Sequence, residues 1–539
     1  MAALGIPEAL REPKGFVGDS SSSIFDGSEE KVAYVGGGIS GIEAAKISLA
    51  SGKQVVIIER APFMGGVWCT AANKESRIQV DPISFRPIED QSPVKVPDAA
   101  DPFDSIYPNR QEVLARLAGD VLSFGLEKRV AFRTEVTKFE GLEGGVRVFM
   151  RTLAADGSAG EEFSKVFREL HVRTGSLTSH RGGEFRLPNE ARFGGTVARG
   201  IGGDLELASF MGKRVVIVGM GAFAVENTRR ALQAGATSIT VLSRKFDKLL
   251  FPESATYMLR SRLQAEDAFE EENITDMWRT VYGLVATAAT VCGLEDVILN
   301  AECVRTVGGE KHFVFSNGLP SMASNVMFLA YHYGLVDIYK DEVSDLTEGA
   351  VLTKGGREIP ADIVLKCVGF GTEEAMMRGH TVVDSFFIDG ETHVTHNLRG
   401  DRVNGENLIG PNVAVSNFLI SYYEDAQEYE RCIGRLNEAP AAFEEMLAMA
   451  PQKNYGLVSG VDYFSTLVLS DKLARSSDAG MQAILEQNRA TRRALYEKFL
   501  PEEQFFAVDA ACWNKLAAHF AEKTGKPALP YPFSPTASA

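Results

Sequence analysis

Two glycine-rich turns carry the strongest chemical signal in this chain. The first is Gly36-Gly37-Gly38-Ile39-Ser40-Gly41, behind the apolar run Lys31-Val-Ala-Tyr-Val. The second is Gly219-Met220-Gly221-Ala222-Phe223-Ala224, behind Arg214-Val-Val-Ile-Val. In each, the leading glycine lets the chain turn sharply out of a strand. The next, lacking a Cβ, lets a pyrophosphate approach the backbone, and the third small residue keeps the following helix close to the strand. The free N–H groups and positive dipole end of that helix then favour phosphate. This is the chemistry of dinucleotide binding, present twice.

The two segments diverge where the next strand ends. The first closes on Glu59 and Arg60 after Val55-Val-Ile-Ile, the second on Ser243 and Arg244 after Ile239-Thr-Val-Leu. A carboxylate there favours a ribose with free hydroxyls, whereas a guanidinium accommodates a 2′-phosphate. The pattern points to FAD at the first turn and NADPH at the second. The candidate contacts are Gly36, Gly38, Ser40, Gly41, Glu59 and Arg60 for FAD. For NADPH they are Gly219, Gly221, Ala222, Ala224, Ser243 and Arg244.

The elements around these turns are those of a soluble α/β protein. A length of 539 residues allows two or three domains, and 45% hydrophobic with 24% charged residues is a globular composition. A net charge of −16 argues against nucleic acid or an anionic membrane as a main partner. The six cysteines are dispersed, with no CxxC or CxxxxC pair. That removes the dithiol of the disulfide reductases, disfavours a cysteine zinc site (no metal is expected), and suits a reducing compartment, the cytoplasm. Residues 1–30 lack the apolar core of a signal peptide and are expected to form a tail or an arm packed on the body. The apolar stretch 281–294 is too short to span a bilayer and is expected to be a buried helix.

Along the chain, residues 31–60 and 213–245 are two βαβ units. Between them lie an irregular, Pro- and Asp-rich wrapping loop at 71–108 and an amphipathic helix at 109–125. Strand-like pieces follow at 129–138, 146–152 and 167–174, read as a β-meander turning at Gly144-Gly145 and Asp156-Gly157. After the second unit comes a mainly helical region to about residue 300, then a strand near 311–315. A strand at 359–368 is expected to return to the first domain, with residues near 408–420 closing it over the cofactor. Helices are expected at 440–450, 478–499 and 503–523. The predicted fold is α/β, with two Rossmann-like dinucleotide-binding domains, the second inserted in the first, and a helical C-terminal extension. The boundaries are a tail at 1–30, an FAD domain at 31–178 and 355–430, an NADPH domain with a helical insert at 179–354, and a helical region at 431–539.

The order of motifs is Gly36-x-Gly38-x-x-Gly41, Glu59, Gly65-Gly66-Val67-Trp68, Tyr107-Pro108-Asn109-Arg110, Gly219-x-Gly221-x-x-Ala224 and Ser243-Arg244. This order resembles the class B flavoprotein monooxygenases, which include the flavin-containing, N-hydroxylating and Baeyer–Villiger enzymes. The resemblance covers about residues 31–420 and implies that Gly65, Gly66 and Trp68 lie near the isoalloxazine, with Val67 a further cofactor contact. For Trp68 the alternative is a core aromatic. Arg173-Thr174-Gly175 and Cys367-Val368-Gly369 stand, in degraded form, where the family joins its two domains.

One departure marks an atypical member. The family's FxGxxxH motif is here Phe193-Gly-Gly195-Thr-Val-Ala-Arg199. An arginine does not titrate near neutral pH but can contact phosphate or carboxamide groups. Arg199 and Asp81 are the catalytic candidates, Asp81 as a group facing the reactive flavin C4a. The alternatives are an interdomain surface residue for Arg199 and a turn-forming residue before Pro82 for Asp81. The resemblance implies reduction of FAD by NADPH, a C4a-peroxyflavin, and transfer of one oxygen atom of dioxygen to a small organic substrate. The alternative is an NADPH reductase or dehydrogenase without oxygen transfer. Segments 81–92, 276–290, 325–335 and 412–424 are candidate pocket walls, and His332 is read as a packed or solvated histidine.

Overall fold

The computed structural model describes residues 4–12, 23–174, 179–183, 185–246, 249–262, 271–302, 304–307, 309–313, 321–371, 413–415, 423–449, 470 and 472–533. Each glycine turn leaves the central strand of its own five-stranded parallel sheet. The first sheet runs in the order Val413–Val415, Glu169–Val172, Lys31–Val35, Gln54–Ile58, Val130–Ala131. The second runs Asp337–Lys340, Ser238–Ser243, Arg214–Val218, Ile363–Lys366, Thr196–Ala198. Both central strands are almost wholly buried, as strands covered on two faces must be. In such a sheet, ligands bind beyond the carboxyl ends of the strands, where the order reverses. Both glycine turns stand at that point.

Local signals explain most elements. Helix Arg110–Ser123 starts on a capping box in which the Asn109 side chain accepts from the Glu112 N–H and the Glu112 carboxylate accepts from the Asn109 N–H. Its face of Val113, Leu114, Leu117 and Val121 is buried. The C-terminal helices Ala479–Phe499 and Glu502–Thr524 fall where periodicity expects them, whereas residues 281–292 end helix Glu271–Cys292 as an amphipathic rather than a buried segment, with Val281, Val285, Ala288, Ala289 and Cys292 inside and Val291 exposed. The N-terminal stretch is an arm. Ile6 and Leu10 are fully buried, and the Met64 N–H donates to the Leu10 carbonyl.

Two expectations need correction. The strand at 359–368 does not return to the first domain. Ile363–Lys366 pairs in parallel with Arg214–Val218 and Thr196–Ala198, entered by a bidentate Arg214–Asp362 pair. A short buried apolar run fits either sheet equally, so its partner is chosen by the chain around it. The antiparallel strands Val343–Leu346, Ala350–Thr353 and Glu358–Pro360 hold it here, burying Val343, Leu346 and Val351 with Val216 and Val364. The C-terminal part of the first sheet comes from Val413–Val415. The meander is also shifted. Its strands are Thr134–Leu142, Gly145–Leu153 and Ala159–Phe167, while Glu169–Val172 belongs to the parallel sheet.

Candidate active site

The two glycine turns are built alike. Gly36 has φ +108° and Gly219 φ +112°, a region open to glycine at little cost. A Cβ at Gly36 would stand 2.6 Å from the Arg173 carbonyl oxygen, and one at Gly219 would stand 2.1 Å from that of Cys367. The strand ends at Arg173 and Cys367 therefore cross the two turns in equivalent places, which is where the motif order sets them. Gly175 lies outside the described residues. A Cβ at Gly41 would fall 2.0 Å from the Gly36 carbonyl, so the first helix lies as close to its strand as the sequence expects.

The first cradle is lined by small residues and free donors. Helix Ile39–Ala50 starts at Gly38 without a side-chain cap. The Ser40 hydroxyl is buried with no partner. The Gly65 N–H donates to the Gly37 carbonyl at 2.8 Å, and a Cβ on Gly38 would meet the Gly66 Cα at 3.6 Å. The Glu59 carboxylate accepts from the Gly37 N–H at 2.6 Å and the Ala61 N–H at 2.8 Å. Burial pushes its pKa up, and those two N–H groups pull it back. Arg60 is about half exposed beside Glu135, and Val67 is half-buried. Trp68 is 8% exposed and packs edge-on to Phe85, as the core-aromatic alternative has it, while its carbonyl accepts from Arg110 Nε at 2.6 Å. The same Arg110 reaches the Leu4 carbonyl of the arm. A lined turn with an uncapped helix start and an orphaned hydroxyl fits the phosphates of FAD, with Glu59 at the ribose end.

The second cradle is more open. A Cβ at Gly221 would meet nothing within 4 Å. Helix Ala222–Gln233 also lacks a side-chain cap, and Ala224 is buried against its strand. Ser243 Oγ donates to the Lys245 carbonyl. Arg244 is exposed beyond the strand end with no ion pair among the described residues. That set fits a dinucleotide with an extra phosphate near Arg244.

The catalytic candidates divide. Arg199 follows the edge strand Thr196–Ala198 at the sheet's carboxyl end, with its side chain 48% exposed and Nε 3.9 Å from Asp204. Gly195 is needed for that strand, since a Cβ would sit 2.3 Å from the Asp362 carbonyl. Asp81 does not face a ligand space. It is fully buried, and its Oδ1 accepts from Ile83 N–H, Ser84 N–H and Tyr496 Oη. Its Oδ2 accepts from Ser84 Oγ, with Arg260 Nε 3.8 Å away. The turn-forming role prevails because the carboxylate is fully buried and accepts from Ile83 and Ser84 within its own turn. Of the candidate pocket walls, Tyr333 is buried and its hydroxyl donates to the Pro527 carbonyl. His332 is partly exposed against Tyr333, and burial lowers its pKa. Residues 416–422 lie outside the described residues.

Sequence reasoning missed the seam between the cradles. The Gly200 carbonyl accepts from Asn73 Nδ2 at 2.9 Å and from Asn227 Nδ2 at 2.8 Å. Gly202 N–H donates to the Ala71 carbonyl, and Gly203 N–H to Asn73 Oδ1. Arg230 Nε donates to Glu75 at 2.9 Å, and Gln79 Nε2 to the Ala222 carbonyl at 2.9 Å. The one local hint is that helix Ala222–Gln233 runs Glu226-Asn227-Thr228-Arg229-Arg230, five consecutive polar residues, all buried. A polar turn buried between apolar ends is not the pattern of an ordinary surface helix, and here that turn meets the first domain through Arg230 and, by way of the Gly200 carbonyl, through Asn227.

Comparison with known proteins places this architecture. The family model for flavin-binding monooxygenase-like proteins matches residues 29–377. Flavin-containing monooxygenase FMO GS-OX2 of Arabidopsis thaliana is 28% identical over 174 residues, covering 28% of this chain and 36% of that one. A probable FAD-binding monooxygenase, AlmA, of Acinetobacter baylyi is 23% identical over 367 residues, covering 63% and 68%. The chain thus aligns with about a third of the length of the Arabidopsis relative. Among solved structures, an oxidized steroid monooxygenase bound to NADP superposes with TM-score 0.54 at 16% identity, covering 87% of this chain and 97% of that one. OTEMO in complex with FAD and NADP gives 0.52 at 15%, covering 77% and 85%. They share the fold of two Rossmann-like domains.

Proposed function

This chain belongs to the flavin-binding monooxygenase-like family, and from that premise we propose an FAD- and NADPH-dependent monooxygenase that transfers one oxygen atom of dioxygen to a small organic substrate. The observation that carries the reading is the pair of equivalent cradles whose strand ends differ, Glu59 in one and Ser243-Arg244 in the other. The net reaction consumes NADPH, a proton, dioxygen and substrate, and yields NADP, water and oxygenated product. FAD, when bound, would supply the redox chemistry, hydride acceptance and dioxygen activation.

The chain's own residues bind, orient and shield. Ser40 Oγ and the N–H groups opening helix Ile39–Ala50 would hold the FAD phosphates, and Glu59 would accept from the adenosine ribose. Gly65 and Gly66 keep the Gly65–Trp68 loop close to the first turn, which leaves little room for water there. Gly221 and the start of helix Ala222–Gln233 hold the NADPH phosphates, and Arg244 takes the 2′-phosphate. The Arg199 and Gly200 N–H groups donate to Asp204 and so fix the backbone after the edge strand, from which the half-exposed Arg199 guanidinium is available to a phosphate or carboxamide. The seam fixes the distance between the two cradles, the geometric condition for hydride transfer.

No helix among the described residues is long and apolar enough to cross a membrane. Cys69, Cys292, Cys367, Cys432 and Cys512 are free thiols, and we place the enzyme in the reducing cytoplasm. Oxygen uptake driven by NADPH across amines, sulfides and ketones, with peroxide release followed alongside, tests the activity. Label from dioxygen should appear in the product. Flavin reduction with stoichiometric peroxide and no oxygenated product throughout would make this a reductase instead. Arg244→Ala should weaken NADPH binding roughly 10- to 100-fold, the worth of one charge-assisted contact, and leave NADH binding unchanged. Equal loss for both nucleotides would contradict the 2′-phosphate role.

A further inference from the structure

We infer that Gln79 is a positioning residue for the nicotinamide half of NADPH, an inference that rests on the reading of the second cradle as the NADPH site. Gln79 belongs to the first domain's wrapping loop, yet its side chain reaches the second domain. Its Nε2 donates to the carbonyl of Ala222, the first residue of the second fingerprint helix. Its own carbonyl accepts from the Ala323 N–H at 3.1 Å, so backbone and side chain are both anchored. The amide orientation is settled chemically, because an oxygen against the Ala222 carbonyl would be repelled.

That orientation leaves Oε1 buried and without a partner. A buried acceptor with no donor costs stability, so such an atom points to a missing partner. The neighbourhood narrows that partner. The open space beyond Gly221 adjoins Ala222, where phosphates would rest, but phosphate oxygens carry no donor for Oε1. The adenine half belongs at the opposite end of the cradle, by Ser243 and Arg244. Gln79 approaches from the first domain, the side to which the reacting ring must be presented. The donors of that half are its ribose hydroxyls and its carboxamide NH2, either of which Oε1 accepts. Gln79 thereby ties the nicotinamide half to the loop that also carries Asn73 and the domain seam.

The test uses the FAD-loaded protein and two ligands followed by binding titration. NADP carries both halves, whereas 2′,5′-ADP carries only the adenine half with its extra phosphate. Gln79→Leu, which keeps the volume, should raise the Kd for NADP roughly tenfold, the worth of about one buried hydrogen bond. It should leave the Kd for 2′,5′-ADP unchanged. Gln79→Ala should give the same pattern. Equal weakening of both ligands would show that the residue only props the helix start through Ala222, and would overturn the inference, as would unchanged NADP binding. If wild-type protein binds neither ligand, the reading of the second cradle itself fails, a different outcome from either of these.

Discussion

Gly219→Val should abolish NADPH binding while the protein stays yellow, and Gly36→Val should do the reverse, losing FAD while keeping affinity for 2′,5′-ADP. Both glycines sit in the left-handed region, at φ +112° and +108°. A β-branched residue there is strained by about 1–3 kcal/mol. The added Cβ would also stand 2.1 Å from the Cys367 carbonyl oxygen in one case and 2.6 Å from the Arg173 oxygen in the other. Both obstacles are backbone, which cannot swing aside as a side chain would. Relieving the overlap costs a further ~1–3 kcal/mol and moves the turn on which the phosphates rest. Together the two terms, about 2–6 kcal/mol, correspond to an affinity loss of roughly 30- to 20,000-fold. Flavin absorbance after purification and a titration with each nucleotide measure the two cradles separately. Ordinary NADPH affinity in Gly219→Val, or ordinary flavin content in Gly36→Val, would remove that turn from the binding machinery.

Glu430→Ala should destabilise the fold by about 3–5 kcal/mol, because it strips a buried cation of its partner. Glu430 lies on helix Tyr423–Glu438 and is buried against the first sheet. Its carboxylate accepts from Arg173 Nη2 at 2.7 Å and Tyr34 Oη at 2.8 Å, with His171 Nδ1 at 3.2 Å. Burial works against its charge, yet His171 and Arg173 outweigh it and hold the carboxyl at about 2. Burial likewise disfavours a charged His171, and Glu430 and Glu169 outweigh that and raise it. The signs set a pH window. A depressed carboxyl adds stability above its unfolded pKa of roughly 4.3, lost as pH falls towards 2. A raised histidine adds stability in full below roughly 6.5, lost as pH climbs through its folded value. The gap between wild type and variant should therefore be widest between about pH 4.5 and 6.5 and narrow on either side. Above that range it should persist in part, because the variant still leaves the buried Arg173 Nη2 without its acceptor. Urea unfolding across pH measures it, and a gap under about 1 kcal/mol at pH 6 would contradict the buried-pair argument.

The network has a functional side. Arg173 donates its side chain to Glu430 and its carbonyl crosses Gly36. Tyr34, one strand residue before Val35, shares the same carboxylate. The helix that opens the C-terminal region thus braces the first cradle from beneath. The later helices brace the wrapping loop, with the Arg86 guanidinium 3.7 Å above the Phe499 ring and Tyr496 on Asp81.

What could be known from the chain alone is what neighbours in sequence dictate. A glycine that must turn at positive φ, an Asn109–Glu112 cap, a periodic face such as Val113 to Val121, and an acid or arginine at a strand end are each set within a few residues. The two glycine turns and the helices Arg110–Ser123, Ala479–Phe499 and Glu502–Thr524 were legible for that reason. Strand Ala159–Phe167 was not, because most of it is exposed and shows no alternation to reveal it. Only the folded chain decided which sheet received Ile363–Lys366, since a buried apolar run is compatible with any parallel neighbour. Only it brought Tyr496 to Asp81 across 415 residues, turning an apparent reactive carboxylate into a structural one. The seam through Asn73, Gln79 and Asn227 has the same origin: hydrogen bonds between distant segments carry no spacing that a linear chain displays, and burial alone makes them obligatory.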